Sequence, residues 1–324
     1  MSQAPISVVI AARNEADSMP RLLEALAHQT HSNFEVIVVN DRSTDQTAAI
    51  VEAFAEKDPR FRLISIPMDA QSNKKHALTA GIAAANHERL VFTDADCLPP
   101  STWLAAIASE HEAEPDAFFV GYSPMQPESS WLNRCMRYET MFTAFMTGAA
   151  IGLDKPYMAV GRNMSYTKSV FAQINGFSGF SKSLSGDDDL MVQAVARQTK
   201  IEFVYLLDSQ TFVPAEPMHT WKQWFRQKKR HFSAGRFYDT SIQLYLGIFQ
   251  ANSILLWLAP LFMGIEGVGL LILKWIIQSW TLAKANRDFC EKGVLSLLPL
   301  LDFSYVLIQL IVAPLGLRRI PSSW

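Results

Sequence analysis

The sequence predicts an α/β domain built on a mainly parallel sheet, followed by an apolar helical region, and three observations carry that prediction. Short β-branched runs alternate with segments of helical periodicity, polar turns follow the strand-like runs, and charge vanishes from Ile242 to Ile265, 24 residues in all. Strands alternating with helices imply parallel pairing with both sheet faces covered. The expected division is an α/β domain over 1–240, including an amphipathic interfacial segment at 220–236, and a membrane region of two to three helices over 241–324.

The elements follow in order. Ile6 to Ala11 is a β-branched run ended by Arg13-Asn14-Glu15, and Met19 to Ala27 then places apolar residues at helical spacing. Phe34 to Val39 reads as the second strand, Asn40 to Asp45 as a polar turn and Thr47 to Ala55 as a helix. Phe61 to Ile66, Ala77 to Ala85 and Arg89 to Thr93 continue the pattern as strand, helix and strand. In parallel sheets, ligands bind beyond the carboxyl ends of the strands. Two polar clusters fall there, Asn40 to Asp45 and Asp94 to Asp96.

Composition narrows the partners. With 29 basic and 31 acidic residues the chain has a net charge of −2, so no nucleic-acid partner is expected. Three scattered cysteines, Cys97, Cys135 and Cys290, do not form a disulfide framework. The N-terminal residues lack a basic n-region and an apolar signal core, so the expected setting is reducing and cytoplasm-facing.

Asp94-Ala95-Asp96 follows directly on the apolar Leu90-Val91-Phe92. In an extended turn, i and i+2 carboxylates can converge on one ligand, and hard cations such as Mg²⁺ or Mn²⁺ take carboxylate and phosphate oxygens. An isolated Asp-x-Asp is more often a solvated acidic turn, so its context decides.

That context resembles a family 2 glycosyltransferase of GT-A fold. Val8-Val9-Ile10-Ala11-Ala12-Arg13-Asn14-Glu15 is similar to the family's opening strand, which supports the nucleotide base and implicates Ala11, Arg13 and Glu15 in donor binding. Val38-Val39-Asn40-Asp41-Arg42-Ser43-Thr44-Asp45 resembles its second strand and turn, giving Asp41 a role at uracil or ribose. Lys74-Lys75-His76-Ala77-Leu78 is similar to the element beside the diphosphate, with Lys74 nearer and Lys75 a second candidate. Val91-Phe92-Thr93-Asp94-Ala95-Asp96 resembles the metal-binding strand and turn, making Asp94 a donor and metal residue and Asp96 a metal ligand. Four motifs in order over about 90 residues are more specific than any one of them.

Further along, Gly161-Arg162-Asn163-Met164-Ser165-Tyr166 and Asn175-Gly176-Phe177 resemble acceptor-side segments. Gly186-Asp187-Asp188-Asp189-Leu190 resembles the acidic motif whose second carboxylate is the general base. Alignment on Leu190-Met191 favours Asp188, with Asp187 and Asp189 open because three consecutive acids blur the register. Acids at a helix start are also favoured by the helix dipole without any catalytic role. Gln227-Lys228-Lys229-Arg230-His231 resembles the Gln-x-x-Arg-Trp motif of membrane-associated members, with His231 in place of the aromatic. Gln227 and Arg230 remain able to engage a diphosphate or sugar. His219 is a weaker candidate ligand, since a lone histidine is more often structural.

The resemblance implies a nucleoside-diphosphate sugar donor, a divalent cation on the leaving diphosphate, and inversion by single displacement with Asp188 as base. The acceptor is expected to be a lipid or lipid-linked glycan, because Ile242 to Ile265 is long enough to cross the bilayer. Gly267 to Ala283 is shorter and carries Lys274, so it either pairs with the first segment as a hairpin or lies in the interface. Val294 to Leu317 is long enough to cross but holds Pro299, Asp302 and Pro314, and a full crossing would put Arg318 and Arg319 outside against the positive-inside rule. A re-entrant or interfacial third segment therefore stays open. Basic residues over Arg226 to Arg236 and at Lys284, Arg287 and Lys292 place both flanks of the first two segments in the cytoplasm, at an inner membrane. Two rival readings are a processive polysaccharide synthase, which the short membrane region and His231 disfavour, and an inactive sugar-nucleotide-binding membrane protein, which retention of every carboxylate disfavours.

Overall fold

The computed structural model describes residues 4–70, 73–183 and 185–318. They form two compact units, one of residues 4–124 and Thr147–Glu216, the other of Met125–Met146 and 217–318. The amphipathic segment and Met125–Met146 therefore group with the apolar helices, a division drawn differently from 1–240 and 241–324.

In the first unit the chain runs β1 (Ile6–Ala12), α1 (Met19–Ala27), β2 (Phe34–Asn40), α2 (Thr47–Ala55), β3 (Phe61–Ser65), α3 (Lys74–Ala84), β4 (Arg89–Phe92), α4 (Trp103–Ala113) and β5 (Phe118–Gly121). Helix α5 (Trp131–Gly152) begins in the second unit and ends in the first, which continues with β6 (Met164–Thr167), α6 (Lys168–Gln173), α7 (Asp189–Gln198) and β7 (Phe203–Leu206). Helices α1 and α2 have the bounds their periodicity predicts. Helix α3 starts three residues before the predicted Ala77, because the Asn73 side chain accepts the His76 N–H at 3.1 Å and caps the first turn.

The seven strands are ordered β3-β2-β1-β4-β6-β5-β7. Strands β3, β2, β1 and β4 are mutually parallel, whereas β6 runs antiparallel to both β4 and β5, making the sheet mixed. Every residue of β1 and β2 is buried, as their continuous apolar runs require of strands covered on both faces. The reversal at β6 matters most for the site. Met164 pairs with Phe92, so the residues entering β6 lie beside those leaving β4.

The second unit contains α8 (Trp221–Ala234), α9 (Thr240–Met263), α10 (Ile265–Asp288) and α11 (Leu298–Arg318). Thr220 and Gln223 form a reciprocal capping box that starts α8. Gly264, at φ +60°, turns α9 into α10, and a Cβ on Gly267 would fall 2.3 Å from the Ala259 carbonyl, so glycine permits the close crossing of the two helices. Three helical stretches, Thr240–Met263, Ile265–Asp288 and Leu295–Leu317, are long and apolar enough to cross a membrane. Leu261, Phe262, Ile265 and Trp280 are each more than 75% exposed, which suits lipid rather than water as their surroundings.

Lys274 and Asp302 look like separate obstacles to insertion in the sequence, and the structure pairs them. The Lys274 ammonium meets Asp302 Oδ2, which also accepts from Trp257 Nε1 at 2.9 Å, while Gln278 Nε2 donates to Oδ1 at 3.2 Å. One carboxylate thus ties together α9, α10 and α11. Breaking a buried pair leaves an uncompensated charge and costs about 3–5 kcal/mol. Asp302→Asn and Lys274→Met should each lower the melting temperature of detergent-purified protein substantially, and the double variant K274M/D302L should recover most of the loss. Single variants melting like wild type would show that the pair contributes nothing.

Candidate active site

The loops after β1 and β2 are laced together by short side chains. Asn14, in left-handed backbone at φ +57°, donates its N–H to Ser43 Oγ at 3.0 Å and accepts the Thr44 N–H on Oδ1 at 2.8 Å. The Glu15 N–H donates to Thr47 Oγ1 at 2.8 Å, and Asp45 Oδ2 accepts the Ala16 N–H at 3.1 Å. Asp45 is therefore a structural tie. Ala11 is buried within β1, and Arg13 is the partly exposed residue just beyond the strand. Asp41 is fully buried, with Oδ1 accepting from Arg42 Nε at 2.9 Å and Oδ2 lying 4.0 Å from Arg13 Nη1.

Glu15 is unusually basic for a carboxylate. Burial pushes its carboxyl up to about 7, helped by the charges of Asp96, Asp94 and Asp45 and opposed by the Ser18 hydroxyl at 2.9 Å. A raised carboxyl favours folding at low pH, where the proton is bound, and this contribution is lost as pH rises from the ordinary 4.5 through 7. Without cation or nucleotide, Glu15→Gln should melt higher than wild type at pH 8 and match it near pH 4.5. The reverse order at pH 8 would show that ionised Glu15 is stabilised rather than strained.

Lys74 lies at the centre of the charged cluster. Its Nζ is 2.9 Å from Asp94 Oδ1 and 2.9 Å from Asp187 Oδ2. Burial alone would depress this ammonium, but Asp187, Asp94 and Asp188 outweigh it and hold the pKa above the ordinary lysine value. Lys75, the second diphosphate candidate, is buried and donates instead to the carbonyls of Ser183 and Ser185, the latter at 2.7 Å, pinning the approach to Asp187. Burial pushes Lys75 down to about 8.

The three consecutive acids separate by contact. Asp187 pairs with Lys74, and Asp189 is the first residue of α7. Asp188 caps α7, accepting the Asp189 N–H on Oδ1 at 2.8 Å and the Gly161 N–H on Oδ2 at 3.0 Å. Burial and the neighbouring Asp187 raise its pKa, against the pull of Lys74 and the two backbone donors. Gly161 enters the site because β6 runs back beside β4. A Cβ there would lie 3.2 Å from Asp187 Oδ2, 3.4 Å from Asp188 Oδ2 and 3.5 Å from Lys74 Nζ.

Asp94 is partly open, with its side chain 34% exposed. Asp96 is held by the backbone, its carbonyl accepting from the Glu216 N–H at 3.1 Å, and its carboxylate accepts the weakly donating Cys97 thiol at 3.6 Å. Burial next to Asp94 raises the Asp96 pKa, with Arg162 opposing. Arg162 is in turn oriented by Ser123, whose Oγ accepts from its Nε at 2.7 Å. Nothing local in the sequence marks this arginine's influence on Asp96. Asn163, within a segment expected on the acceptor side, is buried and donates to the carbonyls of Tyr122 and Thr211, which makes it a framework residue. Among the described residues no three His, Cys, Asp or Glu side chains form a self-sufficient metal site. Asp94 and Asp96 suit a hard cation that completes its shell with phosphate or water oxygens.

Gln227 and Arg230 lie on α8 in the second unit, both partly exposed, with Lys228 between them paired to Glu139 at 2.7 Å. His219 is exposed and sits 3.5 Å from Glu128.

The family model described as "Glycosyl transferase family 2" matches residues 7–175. The "Probable glycosyltransferase YdaM" of Bacillus subtilis is 27% identical over 237 residues, covering 71% of this chain and 55% of the relative. An "Undecaprenyl-phosphate 4-deoxy-4-formamido-L-arabinose transferase" of Sodalis glossinidius is 28% identical over 153 residues, 45% of each chain, so this chain spans about half the length of these curated relatives. The solved structure of a mannosyltransferase from Pyrobaculum calidifontis in complex with GDP-Man and Mn²⁺ superposes with a TM-score of 0.61 at 20% identity, covering 96% of this chain and 86% of that one. With the family's model matched over more than half its length, a GT-A neighbour across nearly all of it and an acidic site at the carboxyl edge of its parallel strands, the chain belongs to glycosyl transferase family 2.

Proposed function

We propose that this glycosyltransferase moves a sugar, with inversion, from a nucleoside-diphosphate sugar to a hydroxyl of a lipid or lipid-linked acceptor at the membrane. The observation that supports the reading is that the Lys74 ammonium lies 2.9 Å from both Asp94, a candidate cation ligand, and Asp187, a candidate base. A cation held by Asp94 and Asp96 would supply Lewis-acid charge to the departing diphosphate. The Mn²⁺ and GDP-Man of the Pyrobaculum neighbour support that expectation.

This chain's own residues do the rest. Lys74 presents a fixed positive charge towards the phosphate side, which stabilises developing negative charge on the leaving group. Asp188 removes the acceptor proton, its carboxylate oriented by the N–H groups of Gly161 and Asp189. Ala11, Arg13, Glu15 and Asp41 are assigned the nucleoside side, and Gln227 and Arg230 are assigned donor binding by the motif they resemble. The undecaprenyl-phosphate transferase among the relatives supports a lipid acceptor. Basic residues before α9 and after α10 favour a cytoplasm-facing catalytic unit at an inner membrane.

Full-length protein in detergent, screened with UDP- and GDP-sugars against lipid acceptors, should release the nucleoside diphosphate only with a divalent cation and form a product of inverted anomeric configuration by NMR. A retained anomer would overturn the single displacement and the role of Asp188.

A further inference from the structure

We propose that Lys74 is a positioning residue that occupies Asp94 while the donor is absent, so that the divalent cation binds well only together with the diphosphate. The inference rests on the reading of Asp94 and Asp96 as cation ligands. Its ground is that the ammonium lies 2.9 Å from one oxygen of Asp94 and 2.9 Å from one oxygen of Asp187. A cation seeking Asp94 therefore meets an oxygen already neutralised by a neighbouring positive charge, and like charges at such separations repel.

Lys74 is held in place to do this. It is the first residue of α3, whose N-terminus is fixed by the Asn73 cap. The next residue, Lys75, is anchored on the carbonyls of Ser183 and Ser185, in the segment that leads into Asp187. The backbone at Gly161 packs closely against the cluster, since a Cβ there would lie 3.2 Å from Asp187 Oδ2, 3.4 Å from Asp188 Oδ2 and 3.5 Å from Lys74 Nζ. An arriving diphosphate adds negative charge where Lys74 and the cation are both needed. Asp94 can then pass to the cation while Lys74 keeps Asp187 and gains phosphate oxygens. The same exchange would couple donor arrival to the setting of the base pair Asp187 and Asp188.

The test is Mn²⁺ binding to full-length protein in detergent, followed by electron paramagnetic resonance, without nucleotide and with UDP or GDP. Wild type should bind Mn²⁺ weakly alone and at least tenfold more tightly with the matching nucleotide. Lys74→Gln and Lys74→Met should bind Mn²⁺ about tenfold more tightly than wild type without nucleotide and lose most of the nucleotide enhancement. Lys74→Arg, which keeps the charge, should behave as wild type, and circular dichroism melts would confirm that each variant is folded. Nucleotide-free affinity that is unchanged or weaker in folded K74Q and K74M would overturn the inference, provided Asp94→Asn abolishes Mn²⁺ binding. If D94N retained wild-type Mn²⁺ affinity, the cation reading itself would fall and this inference with it.

Discussion

Asp188→Asn should lower turnover by about 10²–10⁴-fold, the usual contribution of a general base, while donor affinity changes little. The substitution keeps the shape, but its single amide oxygen can accept from only one of the N–H groups of Gly161 and Asp189, which Asp188 bonds through separate oxygens, so a melting curve beside the kinetics separates loss of the base from a weakened cap of α7. Asp187→Asn should behave differently, because it removes a partner of Lys74 and weakens donor binding as well as turnover. Steady-state kinetics beside nucleotide binding by calorimetry separates the two patterns. An Asp188→Asn enzyme with near-normal turnover would point to an acceptor phosphate, which is already ionised at neutral pH and needs no base.

Removal of the cation should have an effect of similar size. Excess chelator should reduce transfer to background, and Asp96→Ala should abolish cation-dependent donor binding, because the turn carboxylates repel a diphosphate unless a cation lies between them. Lewis-acid charge on a leaving phosphate contributes several kcal/mol, which corresponds to a loss of at least about 10²-fold. Wild-type rates in excess chelator would show that Lys74 and Arg162 carry the leaving group unaided. Restoration by Mn²⁺ or Mg²⁺ after chelation distinguishes removal of the cation from damage to the fold.

The first half of the sheet was legible because its signals are local. Ile6–Ala12 and Phe34–Asn40 are buried on both faces and so read as unbroken apolar runs, and helices α1 and α2 show their buried stripe at helical spacing. The Asp-x-Asp turn and the three consecutive acids were legible for the same reason, as polar clusters next to apolar elements. Strand β6 was not read as a strand, because Met164–Thr167 is four residues long and its antiparallel place beside β4 depends on partners far away in sequence. That strand brings Gly161 to Asp188 and Arg162 towards Asp96, contacts that no spacing rule anticipates.

Sequence alone determined the α/β class, the family, the acidic motifs and the existence of long apolar helices, all of which follow from residue types within short windows. Tertiary structure decided which charges meet. Lys74 and Lys75 are adjacent in the chain, yet one joins Asp94 to Asp187 while the other pins the carbonyls of Ser183 and Ser185. Lys274 and Asp302, each unfavourable in an apolar helix, neutralise each other across two helices. Met125–Met146 joins the apolar helices through Arg137 on Glu291 and Tyr138 on Gln278, although 70 residues of the α/β unit separate it from Pro217. The physical reason is common to all three cases: electrostatic and packing energies depend on distance in space, which the fold sets.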